Sequence, residues 1–460
     1  MSDIEIHSED SVNIKVICDR SIAKELSEFF TFTVPNYKYI PAYRNKMWDG
    51  QIRLYNIHNQ QIYHGLREYV LKFAAERNYT VSSTIPKPTT SLSKKDVSLY
   101  LNEKLKPTVG TSKIKAHEHQ LDAIVHAINN QRCLLLSPTG SGKSLIIYTL
   151  IRYYQELLET DTIYAGQDKN TEKRVVISTW QSIYKMPQKY FNQFGAIFGD
   201  ECHLFKSKSL TTLMTKLVDC PYRVGTTGTL DGTFTHKLVI EGLFGRVFNV
   251  TSTKKLIDKS LLSELKIECI NLQYPIKEIE KIKRATYQDE IKWIVGNKKR
   301  NNFISSLCCK IKGNTLLLFN YVESHGKPLF DQIREECPDK KVFFIHGGTE
   351  TEQREFIRKI MDKEENAILV ASYGTCSTGI NIKNIHNIIF SSPSKSVIRV
   401  LQSIGRGLRK SDKKEMVKLY DISDNLQHKK YINHTMKHLD ERIKIYNREN
   451  FSFEMVKIRL

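Results

Sequence analysis

Three short segments hold side chains whose types and spacing suit phosphate chemistry. Pro138-Thr139-Gly140-Ser141-Gly142-Lys143-Ser144 can cradle a triphosphate, and Gly199-Asp200-Glu201-Cys202-His203 can hold Mg²⁺ and activate a water. Gln402-Ser403-Ile404-Gly405-Arg406-Gly407-Leu408-Arg409 can deliver arginines to a transition state. Read together, they describe a nucleotide-hydrolysing motor whose site is split between two lobes.

From Ser137 to Ser144 the chain departs from the full phosphate-loop pattern only at its first position, where Ser137 replaces glycine. An apolar run, Cys133–Leu136, precedes the segment and a helical run, Leu145–Tyr154, follows it. Backbone N–H groups at such a helix start surround phosphates, aided by the helix dipole. Lys143 is expected to bridge the β- and γ-phosphates and Ser144 to ligate Mg²⁺. An ordinary glycine turn is the bland alternative, and the strand–loop–helix context argues against it.

Asp200 and Glu201 follow the apolar run Ala196–Phe198, so their carboxylates emerge at the C-terminal end of a strand, where open α/β sheets bind ligands. Asp200 is expected to hold Mg²⁺ through water, and Glu201 to polarise the attacking water. His203 is the weaker reading, since a histidine after a strand is often only a hydrogen-bonded surface group. As a zinc ligand beside Cys202 it would lack partners, which excludes a zinc site there. Arg406 and Arg409, three apart, are expected on one face of a helix. They could form a solvated face or pair with local acids, but Gly405 and Gly407 suit an ordinary helix poorly and favour close approach to a ligand.

The elements that must position these groups are legible as periodicities. From Lys113 to about Val250, apolar runs (Cys133–Leu136, Val175–Ile177, Ala196–Phe198) alternate with helical segments, the mark of a parallel sheet. The pattern returns at Thr315–Phe319, Lys341–Ile345, Ala367–Val370, Asn387–Phe390 and Val417–Tyr420. Two α/β lobes in tandem are expected: 113–255, apparently shortened, and 256–440. They are joined through a basic, apolar-flecked segment around 251–283. Residues 1–85 mix strand-like alternation with a helical stretch and read as a small α+β domain. Residues 86–112 read as a linker with one short helix, and 441–460 as a basic helical tail.

The chain is long enough for two or three domains, and its 40% apolar residues can fill their cores. A formal net charge of +20 implies a polyanionic partner. Nine cysteines with no Cys-x-x-Cys pair imply reduced thiols in a cytosol rather than zinc or a disulfide framework. The acidic, polar N-terminus and the lack of long apolar runs imply a soluble intracellular protein without signal peptide or membrane span.

Over about Ile114 to Asp421 these residues resemble superfamily 2 helicases of the DExH type. That resemblance implies two tandem RecA-like parallel-sheet lobes behind a small N-terminal α+β DNA-binding domain, with ATP and Mg²⁺ as cofactors. It makes Gln120 an adenine reader and places Gly379 and Gln402 at the nucleotide. His203 and the segment Thr227-Gly228-Thr229 would couple hydrolysis to lobe movement. Thr179 and Trp180, with Gln181 and Ser182, resemble a nucleic-acid-contacting segment. Phe319-Asn320-Tyr321 and Ser372 to Asn381, with Ser377, Thr378 and Gly379, resemble strand-contacting and coupling motifs.

A closer resemblance, running almost end to end, is to the recombination and branch-migration helicases of T-even bacteriophages, the UvsW type. It includes Phe29-Phe30-Thr31-Phe32, Asn45 to Leu54, Thr286-Tyr287-Gln288-Asp289-Glu290 and Phe451 to Leu460. It implies that the N-terminal domain helps bind DNA. Tyr37, Lys38, Tyr39, Tyr43, Arg44, Lys46, Trp48 and Arg53 interleave aromatics with cations as stacking and phosphate contacts need, although Trp48 and some tyrosines could be core residues.

One departure from the family stands out. Members carry a further strand with a Pro-Thr-x-x-Leu-like DNA-contacting motif, and a helix after it, behind the phosphate loop. Here only about thirty residues, 145 to 174, fill that interval, and 161–174 is polar. The leading expectation is an ATP-dependent DNA helicase or translocase acting on forks, Holliday junctions, D-loops and R-loops in phage recombination, repair and replication. The alternative is a DNA-binding or annealing protein whose hydrolysis is weak or uncoupled. A motor subunit of a restriction or remodelling complex fits less well, since no nuclease-like constellation is present. Expected partners are single-stranded, duplex and branched DNA, RNA in R-loops, and recombination or single-strand-binding proteins. The chain is expected to act as a monomer in the host cytoplasm.

Overall fold

The computed structural model describes residues 2–86, 88–157, 163–164, 175–205, 207–230, 232–378, 382–392, 394–411 and 414–460. Contacts divide the chain into two units, 1–137 with 142–250, and 138–141 with 251–460.

In the first unit, the N-terminal segment forms a sheet in the order Tyr55–Asn56, Gln61–Tyr63, Asn13–Cys18, Ile4–Ser8, Val81–Ser83. Ile4, Ile6, Ile14 and Val16 alternate with polar neighbours and are buried, so one sheet face must be covered. The helices Arg20–Phe29, capped by Asp19, and Arg67–Glu76 supply the cover through Leu26, Val70 and Phe73. The same apolar cluster continues without a break into Leu134, Leu238, Leu243 and Phe244. Residues 1–85 therefore share a core with the nucleotide lobe rather than standing apart from it. The segment 86–112 is also packed: the helix Lys94–Leu99, with a Ser93/Asp96 capping box, buries Val97, and Leu101 follows it into a cluster with Ala123, Ile124, Ile146 and Leu150.

The first parallel sheet has the order Ala196–Gly199, Tyr222–Thr227, Arg132–Leu136, Val247–Asn249. Val175–Val176 pairs only with Ile163–Tyr164, in a separate two-stranded sheet. The expected strand there exists but is not part of the four-stranded sheet among the described residues.

The second unit is built on seven strands, all parallel: Val342–Ile345, Ile368–Ser372, Thr315–Phe319, Asn387–Phe390, Met416–Asn425, Glu264–Gln273, Phe453–Arg459. Thr315–Phe319 and Asn387–Phe390 are buried at every position, as strands covered on both faces must be. Leu316 and Leu318 enter one apolar cluster, Leu317 and Phe319 the other.

Three expectations are corrected here. The segment 251–283 is not merely a joiner, because Glu264–Gln273 is an interior strand of the second sheet. The tail is not helical to its end. The helix His434–Arg448 stops before Asn450, whose φ of 57° breaks it, and Phe453–Arg459 adds an edge strand to Glu264–Gln273. Cys309 and Cys337 form a disulfide, with Cα atoms 5.4 Å apart, whereas reduced thiols were expected throughout. The reason is tertiary: Cys309 lies in the helix Lys298–Lys310, and Cys337 caps the neighbouring helix Lys327–Glu336. No helix among the described residues is long and apolar enough to cross a membrane.

Candidate nucleotide site and nucleic-acid face

The phosphate loop leaves the C-terminal end of the strand Arg132–Leu136 and enters the helix Lys143–Leu157. Gly140 and Gly142 have φ of +87° and +81°, a backbone that L side chains rarely adopt. The backbone at Gly142 calls for glycine, and a Cβ there, 2.1 Å from Gln120 Nε2, would also push the Gln120 amide aside. Ser141 Oγ donates to Pro138 O at 2.7 Å, and Lys143 Nζ donates to Ser137 O at 3.0 Å. Lys143 and the exposed Ser144 are the first two residues of the helix, the end that favours anions. Gln120 Oε1 accepts from His117 N–H at 2.8 Å while its amide reaches Gly142 O at 3.4 Å, tying the predicted adenine reader to the loop.

The carboxylates stand at the end of the neighbouring strand Ala196–Gly199. Asp200 Oδ1 accepts the Thr226 hydroxyl at 2.8 Å and Glu201 N–H at 2.9 Å; its Oδ2 accepts no hydrogen bond among the described residues. Glu201 has a φ of 50°, rare outside glycine, of the kind that concentrates at functional sites. His203 Nδ1 lies 3.0 Å from Thr227 Oγ1 and 3.3 Å from Glu201 Oε2. Thr227 Oγ1 in turn donates to Thr229 O at 3.1 Å. Asp200, Glu201, His203, Thr227 and Thr229 are therefore brought together, and His203 is buried rather than a surface group. Burial raises the Cys202 thiol well above its ordinary value, which leaves it an inert core residue. No group of three or more His, Cys, Asp or Glu side chains placed to hold a metal ion occurs among the described residues. Mg²⁺ in nucleotide sites takes few protein ligands and keeps phosphate and water, so the exposed Ser144 and Asp200 fit it.

In the second unit, the helix Val397–Gly407 carries Gln402 and Arg406. It ends at Gly407, so Arg409 lies past its cap, on an antiparallel bridge to Leu262, and the expected shared helical face is corrected. Burial, then the charge of Arg406, lowers the Arg409 guanidinium below its usual value. The loop before this helix is held from both sheet faces. Arg300 pairs with Asp424 at 2.7 Å and donates to Ser391 O at 2.7 Å; Arg442 pairs with Asp421 at 2.8 Å and donates to Ser394 O at 3.0 Å. Ser377 and Thr378 close the helix Tyr373–Thr378, and Gly379 lies outside the described residues.

The predicted nucleic-acid residues separate into two kinds. Arg44 and Lys46 are exposed, and with Lys38, Tyr43, Met47, Trp48 and Asp49 they line an open cavity of about 650 Å³. Arg53 is instead engaged with Asp49 at 2.5 Å. Thr179 precedes the short helix Trp180–Ile183, its Oγ1 3.0 Å from Ser182 Oγ. Trp180 is half-buried against the core and edge-on to Tyr184 at 5.6 Å, a supporting position rather than an open stacking platform. Sequence reading missed Thr226, for which the hydroxyl before Thr227 was the available signal. It also missed the exposed Arg399, whose Nη1 reaches Asn320 Oδ1 at 3.4 Å.

Residues 3–84 match the family described as DNA helicase UvsW, N-terminal. Residues 154–232 match the type III restriction enzyme res subunit, and 298–411 the helicase conserved C-terminal domain. Over 100% of both chains the protein is 34% identical to the ATP-dependent DNA helicase uvsW of Enterobacteria phage T4. The alignment has 507 positions against 460 residues here, so at least 47 of them (507 − 460) have no residue in this chain. The crystal structure of T4 UvsW matches 99% of both chains at 32% identity with a TM-score of 0.49. A fragment of a putative HsdR subunit of a type I restriction enzyme from Vibrio vulnificus YJ016 matches at 13% identity and a TM-score of 0.58, over 89% of this chain and 76% of its own, a likeness of fold alone.

Proposed function

The chain belongs to the UvsW family of DNA helicases, and on that footing we propose that it hydrolyses ATP to migrate and unwind branched DNA: forks, Holliday junctions, D-loops and R-loops. The observation that carries the proposal is the convergence of Lys143, Asp200, Glu201, His203 and Thr227 at adjoining strand ends of one parallel sheet. Lys143, now on Ser137 O, exchanges that carbonyl for phosphate oxygens, and the glycine backbone closes around them. Ser144 and Asp200 would hold Mg²⁺, which would supply charge neutralisation to the phosphates. Glu201 orients and deprotonates the attacking water, and Arg406 and Arg409 stabilise the charge that develops. His203 senses Glu201 on one side and Thr227 on the other, so a change at the water-activating carboxylate reaches the Thr227–Thr229 segment.

Duplex, single-stranded and branched DNA are the proposed partners, with RNA in R-loops and recombination or single-strand-binding proteins beside them. The protein acts as a monomer in the host cytoplasm. Steady-state ATPase with no nucleic acid, single strand, duplex and four-way junction at low salt tests the reading. Stimulation greatest with the junction supports it. A flat, low rate beside clear DNA binding would favour a binding or annealing protein, a reading that full-length similarity to a helicase makes the weaker one.

A further inference from the structure

The hairpin of Thr31–Thr33 and Gln51–Arg53 carries an excursion, 34–50, whose ends are tied by Val34 N–H to Gly50 O at 2.9 Å. The excursion packs largely on itself. The Tyr37 ring stands edge-on to Tyr43 at 4.6 Å, and Gly50, at φ +82°, leaves no room for a Cβ, which would meet Tyr37 at 2.4 Å. Trp48 Nε1 donates to Gln51 O at 2.8 Å, fixing the polar edge of the indole to the hairpin. A surface loop whose ends are tied together and whose aromatic rings pack on one another is a preformed element.

Its outer side is the cavity lined by Tyr43, Trp48, Met47 and three cations, Lys38, Arg44 and Lys46. Asp49, the acid on the rim, is spoken for by Arg53 and by Gln51 N–H at 3.0 Å. None of the three cations forms an ion pair among the described residues, and Met47 stands 80% exposed at the lip. Aromatic walls with cations around them suit a ligand that is planar and anionic at once. An unpaired nucleotide has both properties. A base inside a duplex has its faces covered by its neighbours and could use only the cations. The hairpin is also seated on the nucleotide lobe. Phe32 meets Phe234 at 5.7 Å, at the start of the helix Phe234–Phe244 that follows the Thr227–Thr229 segment.

We propose that this cavity is a single-strand subsite that takes one unpaired nucleotide of branched DNA, with the base against Trp48 and Tyr43 and the adjoining phosphates on Lys38, Arg44 and Lys46. The proposal rests on the reading of the protein as a motor on branched DNA and adds which strand this domain grips.

The test is equilibrium binding of the full chain, without nucleotide, to a labelled oligothymidylate and to a blunt duplex of equal length across a salt series. Replacing Lys38, Arg44 and Lys46 together by alanine should lower the slope of log K against log salt by about 2 for the single strand, three phosphate contacts at ~0.7 each. Trp48→Ala should weaken single-strand binding by roughly 5- to 150-fold, the range for one lost base–aromatic stack, and Trp48→Phe should restore most of it. Duplex affinity should change less than about 2-fold with Trp48→Ala, and the triple variant should weaken the duplex less than the single strand. Equal losses on both DNAs would mean a general phosphate patch, and no loss on the single strand would mean no site; either overturns the proposal. Should Trp48→Ala fail to fold, the triple variant, confined to exposed side chains, still decides. Wild-type ATPase stimulation, measured in the same preparation, reports on the motor reading separately.

Discussion

The Thr226 hydroxyl donates to Asp200 Oδ1 across 2.8 Å, joining the ends of two neighbouring parallel strands. With Glu201 N–H on the same oxygen, the carboxylate is fixed with Oδ2 turned away from both bonds, which suits a metal-holding group. Thr226→Val keeps the β-branch and removes the donor. A hydrogen bond to a charged group contributes about 1.5–3 kcal/mol, so kcat at limiting Mg²⁺ should fall roughly 10- to 100-fold. The Mg²⁺ midpoint should rise, and Thr226→Ser should recover both. Unchanged Mg²⁺ dependence in the valine variant would deny Thr226 this role.

Asp200 itself was legible, because an apolar run of strand length followed by two carboxylates has one natural placement in a parallel sheet. Thr226 was not, since a hydroxyl at a strand end carries no pattern until its partner strand is known. The strand Glu264–Gln273 was hidden for a related reason. Its first half, with Glu264, Lys266 and Glu268, looks like an exposed segment, and only pairing with Met416–Asn425 and Phe453–Arg459 makes it interior. The same non-local pairing turned the expected helical tail into a strand. Alternation at Ile4, Ile6, Ile14 and Val16 announced a buried face, but not that Leu238 and Phe244 of the nucleotide lobe would help cover it.

Lys143→Ala tests the phosphate loop. In the resting loop the lysine donates to Ser137 O, and its removal is expected to leave the fold intact, which a thermal unfolding midpoint checks. Its role is charge stabilisation at the phosphates, where loss of one preorganised group costs about 100-fold or more in turnover. Nucleotide-free DNA affinity should stay within about 2-fold of wild type. Hydrolysis that survives the substitution would remove Lys143 from the site.

Gly65→Ala tests the shared core of the first unit. A Cβ at Gly65 would lie 2.0 Å from the backbone oxygen of Glu241, whose side chain also accepts the Tyr69 hydroxyl at 2.7 Å. A backbone atom cannot rotate aside, so the N-terminal sheet must shift off the helix Phe234–Phe244. Overpacking of this kind costs about 1–3 kcal/mol, a drop of several degrees in the midpoint of thermal unfolding. A wild-type midpoint in the alanine variant would mean the two parts are not locked together at this point.

His64, next to Gly65, gives the same boundary a pH dependence. Burial, then the charges of Arg132, Arg223 and Arg67, lower its pKa from 6.5 to about 3, and its Nδ1 has no hydrogen-bond partner among the described residues. The folded state holds the ring neutral, while the unfolded chain binds a proton below about pH 6.5. Between about pH 3 and 6.5 the unfolded state therefore carries more protons, and stability must fall as pH falls through that window. By pH 5 the loss from this residue is about 2 kcal/mol relative to pH 7. His438, lowered to about 4 chiefly by burial, and the buried His325 act in the same direction, so the wild-type slope is a sum. His64→Asn should remove one share of it, up to about 1.4 kcal/mol per pH unit, and leave the plateau above pH 7 flat. Thermal midpoints of both proteins from pH 4.5 to 8 measure this directly, and parallel curves would show that His64 is protonated or exposed in the folded state.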